Sequence, residues 1–209
     1  MLLRIAAINH NDPLGAGALV RWLTTISRTE SEEPHFVAVE WDQDIFVAVK
    51  EQRVKASRFG TKWLAMSDQD WTQLVSSIGY EGDVWLQVYP NAAVLWLDQG
   101  REVPVDLNQY VRTRLGIYED WLDGIDGDML QAISNKAWMI AEGNTETVDG
   151  IRDAKWSKLI EKESKGLDGW AMLVVGADHL ADVPQSIASL LRASGHTLEI
   201  EKIKDWRVK

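Results

Sequence analysis

The sequence predicts an α/β domain, with a mostly parallel central sheet flanked by helices and a central helical cap region. Three observations predict it. Compact apolar runs recur along the chain, stretches with apolar residues at three- and four-residue spacing stand between them, and most of the runs end in polar residues. Residues 2–8 form the first strand, stopped by Asn9-His10-Asn11-Asp12-Pro13. Leu19, Trp22, Leu23 and Ile26 then share a helical face, and a Glu/Ser/Pro-rich stretch ends that helix. Phe36-Val37-Ala38-Val39 is a second buried strand running into Glu40-Trp41-Asp42.

Residues 42–59 read as a helix. Ser67 has the character of an N-cap for the next one, with Asp68 and Asp70 near its positive end. Residues 81–89 fit helix and strand equally, and residues 92–97 form a third buried strand ending at Asp98. Residues 104–166 are mainly helical, with one face through Leu107, Val111, Leu115, Tyr118 and Leu122 and another through Met129, Ile133, Ala137 and Ile140. Residues 170–175 give the clearest strand. A helix with Val183, Ile187, Leu190 and Leu191 on one stripe follows, closed by Gly195, and residues 197–203 make the last strand. No repeat or linker divides the chain, so residues 1–209 are expected to form a single domain with a helical insertion at about 104–166.

Composition narrows the functional classes. A formal charge of −10 lacks the basic footprint of a nucleic-acid or anionic-membrane binder, so neither partner is expected. The absence of cysteine removes disulfides, thiolate ligands and a cysteine nucleophile, leaving any metal to His, Asp and Glu. No apolar run approaches a membrane span and no cleavable leader is recognised, so a cytoplasmic location is expected. The 11 Trp against 3 Phe read first as core residues. Trp121, Trp138 and Trp156 could instead wall a cleft, and exposed tryptophan would point to a homodimer.

Chemistry should collect outside the carboxyl ends of parallel strands. His10 and Asp12 follow the first strand, Glu40 and Asp42 the second, Asp98 the third, and Asp178 and His179 the fourth. His10, Glu40 and His179 therefore form the candidate site. Two imidazoles and a carboxylate suit a divalent metal that acidifies a bound water. Each of these residues could equally be a hydrogen-bonded strand-end residue. Asp42 and Asp98 read as caps or supporting partners, and Asp12 and Asp178 as loop and cap residues. Arg152 beside Asp153 reads either as a surface ion pair or as an arginine aimed at a substrate carbonyl or developing oxyanion. The Gly15-Ala16-Gly17 turn carries Val20 where a dinucleotide fingerprint needs its third glycine. Ser67, Ser134 and Ser157 lack a nucleophile elbow.

Taken in order, Ala7-Ile8-Asn9-His10, Val39-Glu40, Arg152-Asp153, Gly176-Ala177-Asp178-His179-Leu180 and Leu190-Leu191-Arg192-Ala193-Ser194-Gly195 resemble the TraB/TIKI-like family. The wider superfamily includes erythromycin esterases and ChaN-like haem-binding proteins. That resemblance implies a metal-dependent hydrolase of a peptide, amide or ester bond, built on two G-x-x-H motifs and a glutamate. His10 and His179 would hold a divalent metal of the Mn, Co or Zn class, and Glu40 would complete the ligands or act as general base. Arg152 would polarise the carbonyl of a peptide or small-molecule substrate. Ala7 stands where the first motif's glycine is expected, and Asp153 where the family usually has asparagine. The same superfamily implies the alternative of a non-catalytic module that binds haem or a small ligand through His10 or His179.

Overall fold

All seven residues of Trp170–Gly176 are buried, as a strand covered on both faces must be. That strand lies at the centre of the computed structural model, which describes residues 1–100, 106–123 and 149–203. Five parallel strands, β1 (Leu2–Ile8), β2 (Phe36–Val39), β3 (Ala93–Trp96), β4 (Trp170–Gly176) and β5 (Thr197–Lys202), form one sheet in the order β3-β2-β4-β1-β5.

Between β1 and β2 runs α1 (Gly15–Thr29). Between β2 and β3 come α2 (Gln43–Val54), α3 (Gly60–Leu64) and α4 (Asp68–Ser76). Helices α5 (Leu107–Leu122) and α6 (Asp149–Ser164) lie between β3 and β4, and α7 (Ile187–Ala193) between β4 and β5.

Handedness distributes the helices. The chain moves across the sheet in one direction from β1 through β2 to β3, and in the opposite direction from β3 to β4 and from β4 to β5. Right-handed crossovers then require opposite faces. Alternation along the strands supplies both cores. Ala6, Ile8, Val37, Val39, Met172 and Val174 pack with apolar residues of α1, α2, α4 and α5. Leu3, Ile5, Ala38, Leu173 and Val175 pack with Trp156 and Ile160 of α6 and with Ile187 and Leu191 of α7. The two described helices of the insertion thus flank opposite faces of the sheet. The expected face through Met129, Ile133, Ala137 and Ile140 lies outside the described residues.

Four local readings change. The helix expected over residues 42–59 ends at Val54, and the separate short α3 follows it. The third strand is shorter than expected and is not buried: Ala93 and Val94 are exposed and Leu95 and Trp96 half-buried, because β3 is a sheet edge. Residues 81–89 fall into neither regular class but make 3-10 turns at Tyr80–Gly82 and Val84–Gln87. Val183 lies ahead of the last helix, not on it, since Pro184 disfavours helical backbone at the residue before it. Ser186 caps that helix by accepting from Ser189 N at 3.3 Å.

Two expected termini are as read. Ser67 caps α4 through Asp70 N at 3.1 Å, and Gly195 ends α7 at a positive φ of 85°. Among the described residues no helix is long and apolar enough to cross a membrane.

Candidate functional site

Strands β4 and β1 are neighbours whose following segments leave toward opposite faces, so their carboxyl ends form the switch point where an open α/β sheet leaves a crevice. His10 follows β1, His179 follows β4, Glu40 follows β2 and Asp98 follows β3. Across the rim these strand ends come in the order Asp98, Glu40, His179, His10.

Glu40 is the centre. Its Oε2 accepts from Gly176 N at 2.8 Å and lies 3.3 Å from His10 Nε2. Its Oε1 accepts from Arg152 Nη2 at 2.9 Å and lies 3.1 Å from His179 Nε2. Glu40 and His10 meet over the end of the intervening strand, and this requires glycine there. A Cβ on Gly176 would stand 2.9 Å from His10 Nε2 and 3.2 Å from Glu40 Oε2.

Each imidazole is also held from behind. His10 Nδ1 lies 2.9 Å from Glu81 Oε1, which accepts from Trp41 Nε1 at 2.9 Å as well. His179 Nδ1 lies 2.6 Å from Asp153 Oδ1, and Asp153 Oδ2 accepts from Ile187 N at 3.0 Å, joining the first turn of α6 to that of α7. Arg152 is fixed by Asp98 Oδ2 at 2.7 Å, and Asp98 Oδ1 accepts from Trp156 Nε1 at 2.9 Å. The Trp156 ring has the Arg152 guanidinium 4.6 Å from its centroid and the His179 imidazole, tilted by 50°, at a centroid separation of 4.6 Å.

These contacts set the protonation. A ring whose Nδ1 donates to one carboxylate and whose Nε2 donates to another carries both protons and is an imidazolium. Burial alone would lower the pKa of His10, but the charges of Glu40 and Glu81 outweigh it and push the group to about 9. His179 is likewise opposed by burial, and Glu40 and the Asp153 bond carry it to about 10. Burial would raise the Glu40 carboxyl, yet His179, His10 and Arg152 together hold it well below the usual range. Glu81 is lowered too, because His10 overcomes its burial.

A cavity of about 80 Å³ opens beside this cluster, lined by His10, Glu40, Trp41, Arg152 and, from α5, Tyr110 and Arg114. His10 faces it. The side chain of His179 is only 7% exposed and lies behind Glu40 against Trp156.

The structure therefore brings together His10, Glu40, Arg152 and His179. Asp42 caps α2 through Asp44 N and Ile45 N. Asp12 accepts from Leu14 N in the loop, and Asp178 is exposed. The reading of Arg152 and Asp153 as a surface ion pair does not hold. Asp153 is 3% exposed and serves His179, while Arg152 serves Glu40 and Asp98. Trp156 is core and polar support at once. The side chain of Trp121 and all of Trp138 and Ser134 lie outside the described residues.

Sequence reasoning missed Glu81, Trp41 and Arg114. A buried glutamate in a non-periodic segment carries no mark that separates it from a surface one. Trp41 could have been noticed as the neighbour of Glu40.

Metal ligation is a separate question from proximity. The donor types suit a divalent ion, and imidazoles backed at Nδ1 by carboxylates are typical of ligating histidines. In the described arrangement the same atoms bond to one another. Both Glu40 oxygens are occupied by the four donors, and both Nε2 atoms are spent on them. Among the described residues no three His, Cys, Asp or Glu side chains are disposed to hold an ion. In comparisons with known proteins, the chain matches no family model, no curated protein and no solved structure.

Proposed function

We propose that the chain is a hydrolase that cleaves an amide or ester bond, in a peptide or small molecule, with water activated by His10 at the Glu40 centre. One observation carries the reading. Two imidazoles, each backed by a buried carboxylate, converge with an arginine on a single ionised glutamate at the switch point, beside a small cavity.

The chemistry follows from the hydrogen bonds. When His10 gives up its Nε2 proton, Glu81 keeps the Nδ1 proton in place. The bare Nε2 then faces a carboxylate oxygen at 3.3 Å, which repels it, and the ring's remaining acceptor becomes available to a water in the cavity. His10 takes a proton from that water as its oxygen attacks the carbonyl, and returns the proton to the leaving group. Glu40 stabilises the imidazolium formed in between. Arg152, anchored by Asp98, faces the same cavity and steadies the negative charge on the carbonyl oxygen. His179 holds Glu40 from the buried side.

The Nδ1 carboxylates favour a second reading in which His10 and His179 lose their Nε2 protons to a divalent metal of the Mn, Co or Zn class, with Glu40 turned to it. The two readings separate on chelator-treated protein assayed against p-nitrophenyl esters and N-acyl amino acid p-nitroanilides. Hydrolysis that survives chelation and is lost in His10→Ala, with the thermal transition retained, supports the metal-free reading. Stoichiometric metal whose removal abolishes hydrolysis selects the second reading. A Soret band on adding haem, with no hydrolysis, replaces both with a binding module.

A further inference from the structure

Arg114 differs from the other arginine of the cavity. Arg152 is matched by Glu40 and Asp98. Arg114 reaches into the same cavity from α5, yet its hydrogen bonds go to neutral groups. Nη1 donates to Asn11 Oδ1 at 2.5 Å and Nε to Tyr110 Oη at 3.2 Å. Among the described residues it forms no ion pair. The charge of Glu81, which lines the same cavity, acts on Arg114, but Glu81 is bonded to His10 and Trp41, so the planar fork still presents donors suited to a further carboxylate.

Its position is set by the chain. Asn11 is buried and directly follows His10, and Arg114 and His10 line the same small cavity. The protein's net charge of −10 repels anions, so an acidic substrate needs a local cation of this kind.

We propose that Arg114 binds a free carboxylate of the substrate in the cavity beside His10, which makes the substrates amides or esters that carry a carboxylate, N-acyl amino acids and C-terminal peptide residues among them. The substrate carboxylate completes the fork while Asn11 and Tyr110 keep it oriented. This rests on the hydrolase reading for the bond cleaved, but the carboxylate site is tested without turnover.

The probes are 4-oxopentanoate, in which a methylene replaces the scissile nitrogen of N-acetylglycine, and 4-oxopentanamide, titrated into the full chain by NMR or calorimetry. The parent should bind the acid about tenfold or more tightly than the amide, the scale of one charge-assisted hydrogen bond. Arg114→Gln should abolish that preference, and Arg114→Lys should restore part of it, with thermal transitions confirming that both variants fold. Equal affinity for acid and amide, binding of neither by the parent, or a preference that survives in Arg114→Gln overturns the proposal. Acid preference without cleavage of N-acetyl-L-alanyl-L-alanine leaves the carboxylate site standing and removes the hydrolase.

Discussion

The His10 arm and the His179 arm of the site share one plan: Nε2 on Glu40 and Nδ1 on a buried acid. They differ in how completely the acid is used. Asp153 spends both oxygens, on His179 Nδ1 and on Ile187 N, and α6 and α7 close over it. Glu81 spends Oε1 on His10 and Trp41, while its Oε2 is buried without a hydrogen-bond partner. The His10 contact to Glu40 is the longer of the two imidazole contacts, and His10 is the imidazole that faces the cavity. One arm is finished as structure. The other faces the cavity and keeps an unused acceptor behind it, so within the proposed hydrolysis the difference gives positioning to His179 and proton transfer to His10.

The largest effect should come from the residue the two arms share. Glu40→Gln leaves two imidazolium ions and Arg152 without their common anion, and breaking a buried ionic cluster in this way costs about 3–5 kcal/mol. Urea unfolding at pH 7 should show that loss together with loss of hydrolysis. A loss below about 1 kcal/mol would mean that the rings are neutral and the cluster is not ionic.

Titration of chelator-treated protein probes the same charge balance. Each imidazole has a folded-state pKa above its ordinary 6.5, so its stabilising contribution is complete below that pH. The contribution is lost as pH rises to about 9 for His10 and about 10 for His179. Stability should fall across pH 7–10 with a slope of up to about 1.4 kcal/mol per pH unit for each ring. Glu40 works in the opposite sense: its lowered pKa makes its contribution present above 4.5 and lost on acidification. A flat profile between pH 7 and 9 would remove the imidazolium assignment.

These arms were unequally legible in the sequence. His179 stands in Gly176-Ala177-Asp178-His179 directly after an apolar strand, and His10 and Glu40 also follow strands, so parallel-sheet logic alone places all three on one rim. The supporting acids were harder to see. Glu81 occupies a 3-10 turn with no periodicity to mark it as buried, and Arg114, near Arg112 on an amphipathic helix, looks like part of a solvated face. Asp153 was visible but misread, because sequence adjacency to Arg152 suggested an ion pair. On α6 neighbouring residues point in different directions, and the two side chains reach different partners. Edge status likewise follows from strand order, which alternation within β3 could not reveal.

The smaller effects should separate the two acids. Asp153→Asn removes the charge behind His179 and forces an amide nitrogen toward either the imidazole N–H or Ile187 N, both donors, at a cost of about 2–3 kcal/mol. Glu81→Gln meets a milder fate. Its amide oxygen can still accept from His10 and Trp41, and the nitrogen takes the place of an oxygen that has no partner now, so a cost of about 1 kcal/mol is expected. The functional signature should be the reverse of the structural one. With Glu81 neutral, the His10 pKa moves down from about 9 toward its ordinary value, and the pH profile of hydrolysis shifts to lower pH with it. Asp153→Asn should lower hydrolysis through Glu40 placement and leave that profile where it is. If instead Asp153→Asn moves the profile and Glu81→Gln does not, His179 is the proton-transferring imidazole and the assignment of the two arms must be exchanged.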